Sequence, residues 1–80
     1  MDKRIGVIGI IIENRKDGAP SVNTILTDYG HIIAGRMGLP YKEKDVNVIS
    51  IIVESTTDEL GALTGKLGQI SGVKVKSILV

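Results

Sequence analysis

RIGVIGIIIE, residues 4–13, decides the fold. The run is rich in β-branched residues, so it reads as a strand. Both alternating sets are apolar, with Ile5, Val7 and Ile11 on one side and Ile8, Ile10 and Ile12 on the other. A strand of that kind is covered on both faces. VNVISIIVE, residues 46–54, repeats the pattern, with Val48 and Ile52 opposed to Ile49, Ile51 and Val53. Two such strands make the centre of a sheet.

The segments around them fix the order. NRKDGAPS, residues 14–21, reads as a loop, and Pro20 is placed to open a helix. Val22, Ile25, Leu26 and Tyr29 then form one helical stripe, which Gly30 is expected to end in the left-handed conformation. His31 to Leu39 reads as a second strand closed by Pro40, and YKEKD, residues 41–45, as a charged turn. Thr56 and Glu59 have capping-box spacing before a helix whose buried stripe is Leu60, Leu63, Leu67 and Ile70. Ser71 and Gly72 make a turn, and Val73 to Val80 is the last strand, with Lys74 and Lys76 making one side of its first half polar.

The expected architecture is α+β: a ferredoxin-like βαββαβ plan occupying residues 1–80 as a single domain, with a four-stranded antiparallel sheet in the order 4-1-3-2. Both helices then lie on one face. The other face has no cover within the chain, although strands 1 and 3 are apolar there too. Such a patch marks a protein interface, and the reading expects a homo-oligomer, a dimer or tetramer, built through the sheet. Interface candidates are Ile8, Ile10, Arg36, Met37, Ile49 and Ile51.

Composition supports a partnered domain. A chain of 80 residues buries a marginal core, and the absence of cysteine rules out disulfides as a supplement. It also fits a reducing cytoplasm, the expected location. Ten Lys and Arg against nine Asp and Glu give a net charge of +1, too balanced for a broad nucleic-acid or membrane-binding field. The opening MDKRIGVIGIIIENRK imitates a signal peptide, but its apolar run ends in charged residues instead of a small-residue cleavage site and is too short to span a bilayer.

Candidate chemistry is sparse. His31 is the only histidine, so no metal site or cofactor is expected. Ser50, Ser55 and Ser77 lack a nucleophile setting, and the reading is non-enzymatic. The loop after strand 1 could hold an anion at a helix N-terminus, which nominates Asn14, Asp17 and Gly18. Arg36, flanked by Gly35 and Gly38 in HIIAGRMGLPY, residues 31–41, could pair with Glu43 or Glu54 of a neighbour, clamp the carboxylate of a small effector, or lie along the surface with its head in water. Gly61, Gly65 and Gly68 in the second helix each cost about 1 kcal/mol relative to alanine, and close approach of helix 1, a neighbouring subunit or a ligand is the expected compensation.

GRMGLPY (35–41), VNVISIIVE (46–54), TTDELGALTGKLGQI (56–70) and GVKVKSILV (72–80) resemble a family of small iron-only hydrogenase system regulators, which in turn is similar to ACT-type regulatory domains and to the C-terminal domain of the nickel-responsive repressor. The resemblance implies a ferredoxin-like fold, oligomers through the sheet and a regulatory role. In ACT domains the loop after strand 1 often binds amino acids between subunits, which corresponds here to Asn14 to Gly18. The nickel repressor's several histidines and its cysteine have only His31 to answer them. Two other functions stay open at this point: an assembly module without a ligand, and a metal-responsive transcriptional regulator.

Overall fold

The computed structural model describes residues 2–80. Its elements are β1 (Arg4–Ile12), α1 (Arg15–Asp28), β2 (Ile33–Tyr41), β3 (Val46–Ser55), α2 (Thr57–Gly68) and β4 (Val73–Leu79). The strands form one antiparallel sheet in the order β2-β3-β1-β4, the expected order viewed from the opposite edge.

One core lies between the sheet and both helices. Ile8, Ile10 and Ile12 of β1 meet Ile49, Ile51 and Val53 of β3, and are covered by Val22 and Leu26 of α1 and Leu60, Leu63 and Leu67 of α2. The interface assignment of Ile8, Ile10, Ile49 and Ile51 is therefore corrected. All four are buried beneath the helices, the most exposed being Ile49 at 7%. In a strand apolar on both sides, composition does not reveal which alternating set faces the helices.

Helix α1 begins earlier than Pro20 suggests. Asn14 is its N-cap, accepting a hydrogen bond from the Asp17 backbone N–H at 3.5 Å, and Pro20 sits inside the helix. A proline near the N-terminus forfeits one backbone bond but has the φ a helix needs. Gly18 is buried where α1 lies on the sheet: a Cβ there would be 3.3 Å from Ile12 Cγ2 and 3.5 Å from Val73 Cγ2. The expected loop of residues 14–21 is thus mostly helix.

The end of α1 also differs. Tyr29 caps it and a short tight turn, Gly30–Ile32, leads into β2. His31 belongs to that turn and not to the strand. Gly30 is not left-handed; the glycine with positive φ is Gly72, at 77°. Pro40 lies within β2, opposite Asn47, which an edge strand tolerates, and the strand runs on to Tyr41.

Helix α2 follows the reading closely. Thr56 Oγ1 accepts from the Glu59 backbone N–H at 3.1 Å, and Glu59 Oε1 accepts from the Thr56 backbone N–H at 2.9 Å, completing the capping box. No helix among the described residues is long and apolar enough to cross a membrane.

Candidate ligand site and interaction face

The position of Arg36 turns on one extra residue. The β2–β3 register shifts between Ile33 and Gly35, so Ala34 is a bulge. Beyond it, Gly35 pairs with Ile52 and Arg36 with Ile51. Ile51 faces the helices, so Arg36 does too. An unbroken ladder from Ile33 would have sent Arg36 to the open face. Of its expected roles, a place at a subunit boundary would thus be at the β2 edge and not on the open face of the sheet.

From the edge of the sheet, Arg36 reaches back over α1. Its Nη2 donates to Asn23 Oδ1 at 3.2 Å. Among the described residues it has no carboxylate partner: the ion pairs of the chain are Arg15–Asp45, His31–Glu59 and Lys74–Glu13. A guanidinium held by a neutral amide keeps its full charge and several free donors.

Beside this pair lies a hollow of about 230 Å³ between α1 and the β2–β3 edge. Ile49, Ala19 and Gly38 supply apolar or empty wall, while Arg36, Asn23 and Asn47 supply polar groups. No atom lies within 4 Å of where a Gly38 Cβ would stand, so the glycine leaves that wall open. An apolar floor with a few polar groups is the usual make-up of a small-molecule site, and this one falls below the usual range of about 300–1,000 Å³. Leu39 and Val48 border it from the other side of the sheet edge.

Of the residues nominated around the first loop, none lines this hollow. Asn14 is engaged in capping, Gly18 in close packing, and Asp17 is exposed on the first turn of α1. Asn23 and Asn47 were missed. Neither sits in a motif; only the β2–β3 register and the helix face bring them beside Arg36.

The open face carries the alternate set. Ile52, Val7 and Ile78 form one row across it, with Ile5 beyond that row, Ile11 on its other side, and Met37 and Leu39 on the β2 side. Ile52 is 50% exposed, Ile78 62% and Met37 69%. Met37, paired with Ser50, is the one interface nominee that lies on this face. Lys74 and Lys76 also project here, because they pair with Ile11 and Gly9.

A second polar group gathers at the N-terminus of α2. Hydrogen bonds from the Thr56 backbone and side chain hold the Glu59 carboxyl below its ordinary range, against a desolvation that raises it; Lys3 and His31 lower it further. His31 Nε2 is 3.9 Å from Glu59 Oε2, and its ring stacks on Tyr29 with centroids 6.3 Å apart. Among the described residues no group of three or more His, Asp or Glu is placed to hold a metal ion. Ser55 is fully buried with its Oγ unpartnered, beyond the reach of a substrate.

The family model described as "TM1266-like: Iron-only hydrogenase system regulator, putative" matches residues 4–77. The structure of TM1266 from Thermotoga maritima superposes with a TM-score of 0.95 at 37% identity, covering 99% of each chain. The ACT domain of a GTP pyrophosphokinase from Chlorobium tepidum gives a TM-score of 0.80 at 17% identity, over 95% of this chain and 99% of that one. The C-terminal domain of the MgtC protein from Mycobacterium tuberculosis gives 0.76 at 14%, over 99% of this chain and 89% of that one. At these lower identities the likeness is one of fold. No curated protein sequence matches the chain. With nearly its whole length matched, and an ACT-like fold to go with it, this chain belongs to the TM1266-like family of iron-only hydrogenase system regulators.

Proposed function

We propose that this chain is a non-enzymatic regulatory domain of the cytoplasm that assembles through the open face of its sheet and senses a small carboxylate in the hollow at Arg36. The observation that carries the reading is the Arg36 guanidinium, fixed by Asn23 at the rim of an apolar hollow without a carboxylate of its own among the described residues. A carboxylate ligand would replace the water around that charge with bidentate hydrogen bonds. Apolar wall then selects a small aliphatic body over a fully polar anion.

The assembly supports the sensing. Leu39 and Val48 border the hollow and also belong to the open face. A copy seated there adjoins the mouth of the site, so ligand and subunit contact bias one another. The family's description as a regulator supports the same class of function, and the absence of cysteine supports a reducing compartment.

The test is thermal unfolding of the wild type and of Arg36→Lys against amino acids, short-chain carboxylates, nucleotides and divalent metals. A native-state ligand raises the midpoint. The reading expects a carboxylate to do so in the wild type and far less in Arg36→Lys. Stabilisation by a metal or a nucleotide alone, equal in both proteins, would remove it.

A further inference from the structure

The two edges of the sheet are protected unequally. On β2 the bulge at Ala34 and the missing N–H of Pro40 interrupt the outer backbone, as natural edges commonly are interrupted. On β4 the ladder is regular from Val73 to Leu79. Val80 N–H bonds to the Ile5 carbonyl at 2.9 Å and Glu13 N–H to the Gly72 carbonyl at 2.7 Å. Even-numbered residues of β4 therefore address β1, and odd-numbered ones point their backbone outward. At the ends, Val73 N–H reaches the Ile70 carbonyl and the Leu79 carbonyl accepts from Arg4 Nη2. Between them, the N–H and C=O of Val75 and Ser77 have no partner among the described residues.

A hollow of about 950 Å³ wraps this edge, from Gly61, Thr64, Gly65 and Gly68 of α2 past β4 to Gly9, Ile11 and Val48 on the open face. No atom lies within 4 Å of where a Cβ would stand at any of the three glycines, so neither α1 nor the sheet explains them. Thr64 turns its hydroxyl back to the Leu60 carbonyl at 2.9 Å and leaves the wall smooth. The hollow has room for a polypeptide backbone beside β4.

Charge indicates which backbone. In an antiparallel pairing of two β4 strands, opposing Val75 to Ser77 sets Lys76 against Lys76 and opposing Val75 to itself sets Lys74 against Lys76; only the register that opposes Ser77 to itself, with Lys76 against Ile78, avoids this. Like charges directly opposed destabilise a pair. Lys74 is shared with Glu13 at 3.7 Å, while Lys76 has no carboxylate partner among the described residues. We propose that the β4 edge and the glycine wall of α2 take an extended acidic segment of a partner protein as a fifth strand. Its carboxylates lie over Lys74 and Lys76 on the open-face side, and its small or apolar side chains sit against the glycines. This site is at the opposite edge from Arg36 and stands independently of it.

The probe is an eight-residue peptide amide of alternating glutamate and valine, with a lysine–valine counterpart. Both are titrated into the isotope-labelled full chain while amide exchange is followed. The acidic peptide is expected to slow exchange at Val75 and Ser77, with the lysine peptide at least tenfold weaker. Gly65→Leu, which fills the wall from an exposed helix face, loses at least tenfold in affinity. Lys76→Glu reverses the preference between peptides, and Arg36→Lys leaves binding unchanged. Absence of protection at Val75 and Ser77, equal binding of the two peptides, or protection centred on β2 would overturn the proposal, as would self-pairing of the chain through β4.

Discussion

Arg36 Nη2 donates to Asn23 Oδ1 across 3.2 Å, tying edge strand β2 to α1. The bond is exposed and joins a charge to a neutral amide, so it contributes little to stability and chiefly fixes where the guanidinium points. Arg36→Lys is therefore expected to unfold at nearly the wild-type temperature while binding carboxylate about tenfold more weakly, because an ammonium cannot reproduce the planar fork. Calorimetric titration beside thermal unfolding separates the two effects. A large fall in melting temperature would mean that the pair is structural.

Gly61 and Gly65 have the opposite profile. Nothing in the chain approaches their missing Cβ atoms. Replacing either by alanine is expected to stabilise the isolated protein by about 0.5–1 kcal/mol through helix propensity. Urea unfolding measures this directly. Destabilisation would reveal a close neighbour already in place, such as another copy.

Gly72 cannot be replaced so cheaply. Its φ is +77°, and a Cβ would stand 2.7 Å from Asn14 Cβ. Gly72→Ala combines left-handed strain with a collision against the N-cap of α1, and is expected to cost roughly 1–3 kcal/mol. A variant that unfolds in urea like the wild type would contradict the tight apposition of these two loops.

The cap of α2 gives a pH dependence. The Glu59 carboxyl is held below its ordinary range chiefly by the Thr56 backbone hydrogen bond. A depressed folded-state pKa contributes stability that is present above the unfolded value and lost as pH falls through the folded one. Glu59→Gln is accordingly expected to show a shallower loss of stability on acidification below the normal carboxylate range. Thr56→Ala, which removes the reciprocal bond, is expected to cost about 1 kcal/mol at neutral pH. Parallel acid limbs for wild type and Glu59→Gln would contradict the assignment.

The sequence displayed the element order, the sheet order and the α2 capping box, because each rests on local chemistry: β-branched runs, a reciprocal Thr–Glu spacing, a leucine stripe. It did not display side-chain parity. Ile8 and Ile10 are as apolar as Val7 and Ile11, and only the placement of the helices tells the sets apart. The face that Arg36 takes was not legible either: Gly35 permits a bulge, but only the β2–β3 register places it at Ala34. The start of α1 was hidden because Pro20 advertises a helix beginning and Asn14 is the actual cap. Asn23 and Asn47 join Arg36 only through tertiary register.

The proposed assembly, and the coupling of subunit contact to the Arg36 hollow, depend on the open face being a contact surface. The most direct measurement is the mass in solution, by size exclusion with light scattering, of the wild type and of Ile52→Lys, whose side chain lies on that face with 50% exposure. The account predicts a wild-type mass of at least twice the 8.5 kDa chain and dissociation of the variant towards a single chain. A wild type that runs as one chain, with Ile52→Lys equal to it in mass and stability, would contradict it.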